Sequence, residues 1–179
     1  MVYILGVSHD IQYDRSLLLT KNFTQFLVEH VELLGIEVLG EEWNENAVNT
    51  SDNPETIVKQ ISADKGIQYI AFDPNIVERK ELKVPNRDEI RVSLGWPPVL
   101  SREQFEKLKR EERKYNPVRE EFWYHKIKPY VTKNMLLICG ADHITKSNPD
   151  KLPGFDILLA SKQVPTQVIN ATFVSPNSF

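Results

Sequence analysis

A chain of 179 residues, 41% hydrophobic and 26% charged, is long enough to bury one real core and short for two, which sets the expectation of a single domain over 1–179. The formal charge of −3, with lysine and arginine interleaved among acids, gives no general pull toward nucleic acid, and none is expected as a partner. With no run of about eighteen apolar residues and no basic, apolar, small-residue leader, neither a membrane span nor secretion is expected, and the single cysteine, Cys139, suits a reducing cytoplasm.

Val2-Tyr3-Ile4-Leu5 is a β-rich apolar run that stops at Gly6 and delivers the chain to His9 and Asp10. Over 16–34, Leu17, Leu18, Phe23, Phe26, Leu27, Val31 and Leu34 recur at helical spacing, with Gly35 as the C-terminal stop. A second strand over 36–39 ends in Gly40-Glu41-Glu42. Asn53-Pro54-Glu55 supplies a cap, a proline at the first helical position and a first-turn acid, which predicts a helix over 54–64 closed by Gly66. Residues 67–72 read as a third strand leading into Asp73-Pro74. This alternation predicts an α/β fold in three layers, a mainly parallel sheet with helices on both faces.

The middle of the chain differs. Residues 85–98 read as loop and short helix, and 101–114 as a charged, mostly solvent-facing helix, so 85–116 is a helical insertion or cap before the fourth strand. A helix over 117–131 aligns Val118, Phe122, Trp123, Ile127 and Val131 and feeds a strand over 135–139, which ends in Gly140-Ala141-Asp142-His143. A last helix over 156–161 precedes a closing strand over 166–174.

Ligands of parallel α/β sheets gather beyond the carboxyl ends of the strands, where loops vary freely while the strands hold their starting points. Polar residues recur there: His9 and Asp10 after the first strand, Glu41 and Glu42 after the second, Asp73 after the third, Asp142 and His143 after the fourth. Two Gly-x-x-His sequences, Gly6 to His9 and Gly140 to His143, thus occupy equivalent positions, and each glycine permits a tight turn or a close approach. Imidazoles with carboxylates suit a divalent metal, which polarises a carbonyl or brings bound water to a pKa of about 7. Without metal the same groups serve as general base and orienting carboxylate.

Alternatives stay open at several positions. Strand side chains alternate, so one of Glu41 and Glu42 faces the site; Glu41 is favoured and Glu42 remains in play. Asp73 either joins the site or caps the turn at Pro74, and Arg119 either meets an anionic group or forms a structural ion pair. His30 and His125 read as helix-surface or structural residues, and Trp96, beside Pro97-Pro98, as part of a cap.

The ordered set resembles the superfamily of Tiki and TraB proteins, erythromycin esterase and the haem-binding protein ChaN, in which two Gly-x-x-His motifs and a glutamate after an early strand mark the site. Arg119-Glu120-Glu121-Phe122-Trp123 is similar to the helix preceding the second motif, with Glu120 in place of the usual asparagine. Asp73 and Arg79 match an Asp and Arg after the third strand, and Gly154-Phe155-Asp156-Ile157-Leu158-Leu159 the Leu-rich helix after the second motif. The resemblance implies a hydrolase in which His9, His143, Glu41 or Glu42 and Arg119 do the chemistry, with Asp10, Asp73, Arg79 and Asp142 toward the substrate. It also implies a divalent metal (zinc, manganese or cobalt) on His9, His143 and one glutamate, acting on a small-molecule or peptide substrate. The competing expectation is a non-catalytic ligand-binding or sensor protein using the same pocket.

Overall fold

The apolar opening run forms strand β1 (Val2–Val7), which pairs in parallel with β4 (Met135–Gly140) on one side and β5 (Thr166–Ile169) on the other. A computed structural model describes residues 1–12, 18–43, 55–150 and 152–170, leaving the side chains of His9, Asp10 and Leu18 outside the described set. Strands β2 (Val38–Glu41) and β3 (Gln68–Ala71) complete an all-parallel sheet of order β3-β2-β4-β1-β5. Alternate strand residues then serve opposite cores.

On one face Leu5, Val7, Leu39, Leu136 and Ile138 pack against Phe23, Leu27 and Val31 of α1 (Leu18–Leu33) and Ile57, Val58 and Ile61 of α2 (Ile57–Lys65). On the other, Val2, Ile4, Val38, Met135, Leu137 and Cys139 pack against Trp123 and Ile127 of α6 (Asn116–Ile127) and Phe155 and Leu159 of α7 (Phe155–Ser161). The result is the three-layer α/β architecture expected from the alternation. Among the described residues no helix is long and apolar enough to cross a membrane.

The order of the strands brings the two Gly-x-x-His sequences together. β4 is inserted beside β1, so Gly6 lies opposite Cys139 and Val7 opposite Gly140. A Cβ on Gly6 would sit 2.6 Å from Ile144 Cδ1 and 3.1 Å from Ala141 Cα. Gly6 is therefore the floor on which the turn of the second motif rests, a close approach that any side chain would block.

Several boundaries move. The second strand starts later than 36–39 and runs on through Gly40 and Glu41, because pairing with both β3 and β4 keeps its ladder intact to Glu41. Gly40 is required there for packing, since its Cβ would lie 2.7 Å from Leu137 Cδ2 and 3.1 Å from Phe72. Helix α2 begins at Ile57 rather than 54; its N-cap is Thr56, whose hydroxyl accepts from Lys59 N–H, while Asn53 and Pro54 lie outside the described residues. Gly66, at φ 65°, ends it as the spacing predicted. Helix α6 gives way after Ile127 to a 3₁₀ turn over Lys128–Tyr130, where Pro129 cannot continue the α-helical ladder. Of the closing strand, 171–174 lie outside the described residues.

A helix absent from the sequence reading, α3 (Ile76–Leu82), follows β3, set by a capping box in which Asn75 accepts from Glu78 N–H and Glu78 accepts from Asn75 N–H. The segment 85–116, expected as a helical insertion or cap, holds α4 (Arg87–Ser93) and α5 (Arg102–Arg113). α5 is not wholly solvent-facing: Leu108 and Arg113 are buried, and Arg113 bonds Asp150 at 2.5 Å and Asp142 at 3.2 Å. That pair of contacts ties the segment to the loop after β4.

Candidate functional site

Alternation along β2 separates the two adjacent glutamates. Glu41, the last strand residue, goes to the α1/α2 side, where it is fully buried and accepts from Tyr69 Oη at 2.6 Å, Gln12 Nε2 at 3.0 Å and the Thr56 hydroxyl. Glu42 goes to the α6/α7 side, and its Oε2 accepts from the backbone N–H of Gly140 at 2.7 Å. Its other oxygen lies 3.4 Å from His143 Nε2 and 2.5 Å from Arg119 Nη2. Both the first and last residues of the second Gly-x-x-His sequence therefore contact Glu42, whereas the favoured Glu41 anchors the turn His9–Gln12 and the start of α2.

Helix α6 supplies the other half of the site. Arg119 and Glu120 sit in its second turn; Arg119 reaches Glu42 and Asp73, and Glu120 Oε1 lies 2.7 Å from His143 Nδ1. Trp123, one turn on, donates from Nε1 to Asp73 at 3.1 Å and lies with its ring centroid 4.4 Å from that of His143. Asp73 also accepts from Arg119 Nε at 3.0 Å and Arg79 Nη2 at 2.7 Å. It makes these bonds in place of a cap at Pro74, since Asn75 performs the capping.

Three carboxylates, Glu42, Asp73 and Glu120, thus face three cationic groups, Arg79, Arg119 and His143, in a largely buried network. Burial works against charge on His143, but the Glu42 charge and the bonds to Glu120 and Glu42 outweigh it and raise the imidazole to about 9. Burial pushes the Glu120 carboxyl up, opposed by His143 and Arg119. Burial likewise disfavours the Arg119 guanidinium, yet Glu42 and Asp73 reverse the balance and hold it firmly protonated. The raised value favours the imidazolium, with Nδ1 against Glu120 and Nε2 3.4 Å from Glu42 and 3.5 Å from Arg119 Nη1, a form able to give a proton or to steady an oxyanion.

The position between Glu42 and Asp73 is filled by the Arg119 guanidinium, and the side chain of His9, the other imidazole expected to ligate a metal ion, lies outside the described set. Among the described residues no group of three or more His, Cys, Asp and Glu is placed to hold one.

No protein-family model, no curated protein and no solved structure matches the chain.

Of the residues singled out in the sequence, the structure brings together Glu42, Asp73, Arg79, Arg119 and His143. The side chains of His9 and Asp10 lie outside the described set, although their backbone forms the 3₁₀ turn directly after β1. Asp142 is not in the network; its side chain is 46% exposed and pairs with Arg113. His125 is exposed beside Glu121, and His30 bonds the Phe26 carbonyl and stacks on its ring, so both are helix-surface residues. Trp96 meets Lys107 over its ring, within the segment 85–116. Two members of the site were missed: Glu120, read as a departure from the Arg-Asn pattern, and Trp123, assigned to the core, which it fills while also bonding Asp73.

Proposed function

We propose that the chain is a small cytoplasmic hydrolase acting on a small-molecule or peptide substrate, with His143 as proton donor and Arg119 steadying developing negative charge. The observation that carries this reading is His143 held between Glu120 Oε1, 2.7 Å from Nδ1, and Glu42 Oε1, 3.4 Å from Nε2, at a strand end. Glu120 fixes the ring and stabilises its charged form, so the Nε2 proton is the one delivered to a leaving group or carbonyl oxygen. His9, on the turn after the adjacent strand, is the candidate base on sequence grounds. The Tiki, TraB and erythromycin esterase resemblance supports a site at these residues.

The test is turnover on a panel of carboxyl esters and short peptides. His143→Asn is expected to lower kcat by roughly 10²–10⁴-fold on any substrate that is cleaved. A panel on which wild type and variant are equally inactive overturns the hydrolase reading.

A second reading, a non-catalytic binding or sensor protein, is favoured by the closure of the network: His143 is 4% exposed and Glu42 7%. It predicts ligand binding that shifts the His143 resonances, with no turnover.

A further inference from the structure

Asp73 is bonded by two arginines and Trp123, and one of those arginines, Arg79, also lines a cleft. Arg79, on α3, donates from Nη2 to Asp73 and from Nε to the Pro74 carbonyl at 3.3 Å. Its Nη1 has no partner among the described residues, and the side chain is 21% exposed. The cleft it borders has a volume of about 350 Å³ and lies between α3, the start of α4 and the residue that leads into α6. That volume is at the small end of ligand pockets, about 300–1,000 Å³.

The charge along its walls is unbalanced. Lys80 and Lys83 line it with Arg79, and neither lysine forms an ion pair among the described residues. The acids nearby are engaged: Glu78 of α3 meets Lys126 Nζ at 2.8 Å, and Glu89, the acid of the lining, accepts the Asn86 N–H in the capping box of α4. Arg79 is paired with Asp73 and Glu89 keeps its negative charge, so the two unpaired lysines leave the lining with a positive excess, which raises the potential of the concavity. The other walls are apolar or amphipathic: Ile76, Val84 and Tyr115. Ile76 is 57% exposed, and burying it would be favourable.

We infer that this cleft binds a small amphipathic anion, its head group against Arg79, Lys80 and Lys83 and a short apolar body against Ile76, Val84 and Tyr115. The shared chemistry is a chain-borne anionic group, carboxylate or phosphate. Lysines act as point charges on either, while the guanidinium contributes directional donors. Arg79 couples the cleft to Asp73 and, through it, to Arg119. The inference goes beyond the hydrolase reading and needs no turnover.

The full chain is titrated by calorimetry at low ionic strength with hexanoate, hexyl phosphate and acetate. Hexanoate or hexyl phosphate is expected to saturate one site at least about tenfold more tightly than acetate, from partial burial of the extra methylenes. The tighter of the two names the head group. Lys80→Gln/Lys83→Asn removes two exposed charges, with asparagine chosen because Lys83 sits at φ 56°, and is expected to weaken binding about tenfold or more. Absence of saturable binding by either probe, equal affinity for hexanoate and acetate, or unchanged affinity in the double variant would each overturn the inference. Because the readout is binding, its failure is distinct from failure of the hydrolase reading, which is read by turnover in His143→Asn.

Discussion

His143 Nδ1 and Glu120 Oε1 lie 2.7 Å apart, joining the turn after β4 to helix α6. The contact links the end of the second Gly-x-x-His sequence to the one residue of 119–123 that departs from the Arg-Asn-x-x-Trp pattern. A carboxylate here does what an amide could not: it stabilises the imidazolium rather than merely orienting the ring. The protonation state of the site histidine therefore depends on Glu120 as well as on Glu42.

Stability should fall as pH rises through the alkaline range. His143 has a folded value of about 9 against an ordinary value of 6.5, so the native state binds its proton more tightly than the unfolded chain. That contribution is fully present below about pH 6.5 and is lost as pH rises toward about 9; for a group this buried it is on the order of 3 kcal/mol. Urea midpoints of the wild type should drop across this window, while those of His143→Gln stay nearly flat. Equal slopes for the two proteins would contradict a raised His143.

The two adjacent glutamates should behave oppositely. Glu42→Gln removes the nearest opposing charge from Nε2, and the His143 titration followed by NMR is expected to move down toward 6.5. Glu41→Gln lies across the sheet among Gln12, Thr56 and Tyr69; it should leave that titration in place while costing about 1–3 kcal/mol of stability through a disrupted buried carboxylate. A shift in His143 with Glu41→Gln as large as that with Glu42→Gln would reverse the assignment.

Arg119 is the keystone of the charge balance. Arg119→Met removes the cation shared by the buried acids Glu42 and Asp73, leaving His143 and Arg79 as their remaining cationic partners, and is expected to cost about 3 kcal/mol in urea unfolding. It also vacates the position between the two acids, so the variant should take up Zn²⁺ or Mn²⁺, seen as raised thermal stability on metal addition, where the wild type does not. Metal-dependent stabilisation of the wild type equal to that of the variant would show that the guanidinium does not exclude the ion.

Gly154 carries a requirement invisible in its neighbours. A Cβ there would collide with the main-chain carbonyl of His143, and backbone cannot swing aside as a side chain can. Gly154→Ala should therefore displace the second motif, with an overpacking cost of about 1–3 kcal/mol and a change in the His143 NMR titration. Gly66→Ala, with nothing near its Cβ but φ 65°, should lose stability with that titration unchanged.

By itself the sequence determined the local elements and their order. Apolar periodicity set β1, α1, β4 and α7, glycine stops ended α1 and α2, and the strand–helix alternation set a parallel three-layer sheet, because these follow from backbone sterics and burial within short windows. It also marked strand ends as the place where polar residues collect. What it could not determine was which of those residues meet. Whether Glu41 or Glu42 joins His143 turns on where β2 ends, and that end moved by two residues because two neighbouring strands hold the ladder together through Gly40. Asp142 leaves for Arg113, Glu120 claims His143, and Asp73 gathers two arginines and Trp123, partners that are brought together only by the insertion of β4 between β2 and β1 and by the docking of α6 beneath them. Long-range ion pairs in a buried site are chosen by packing geometry, which no short window of sequence contains.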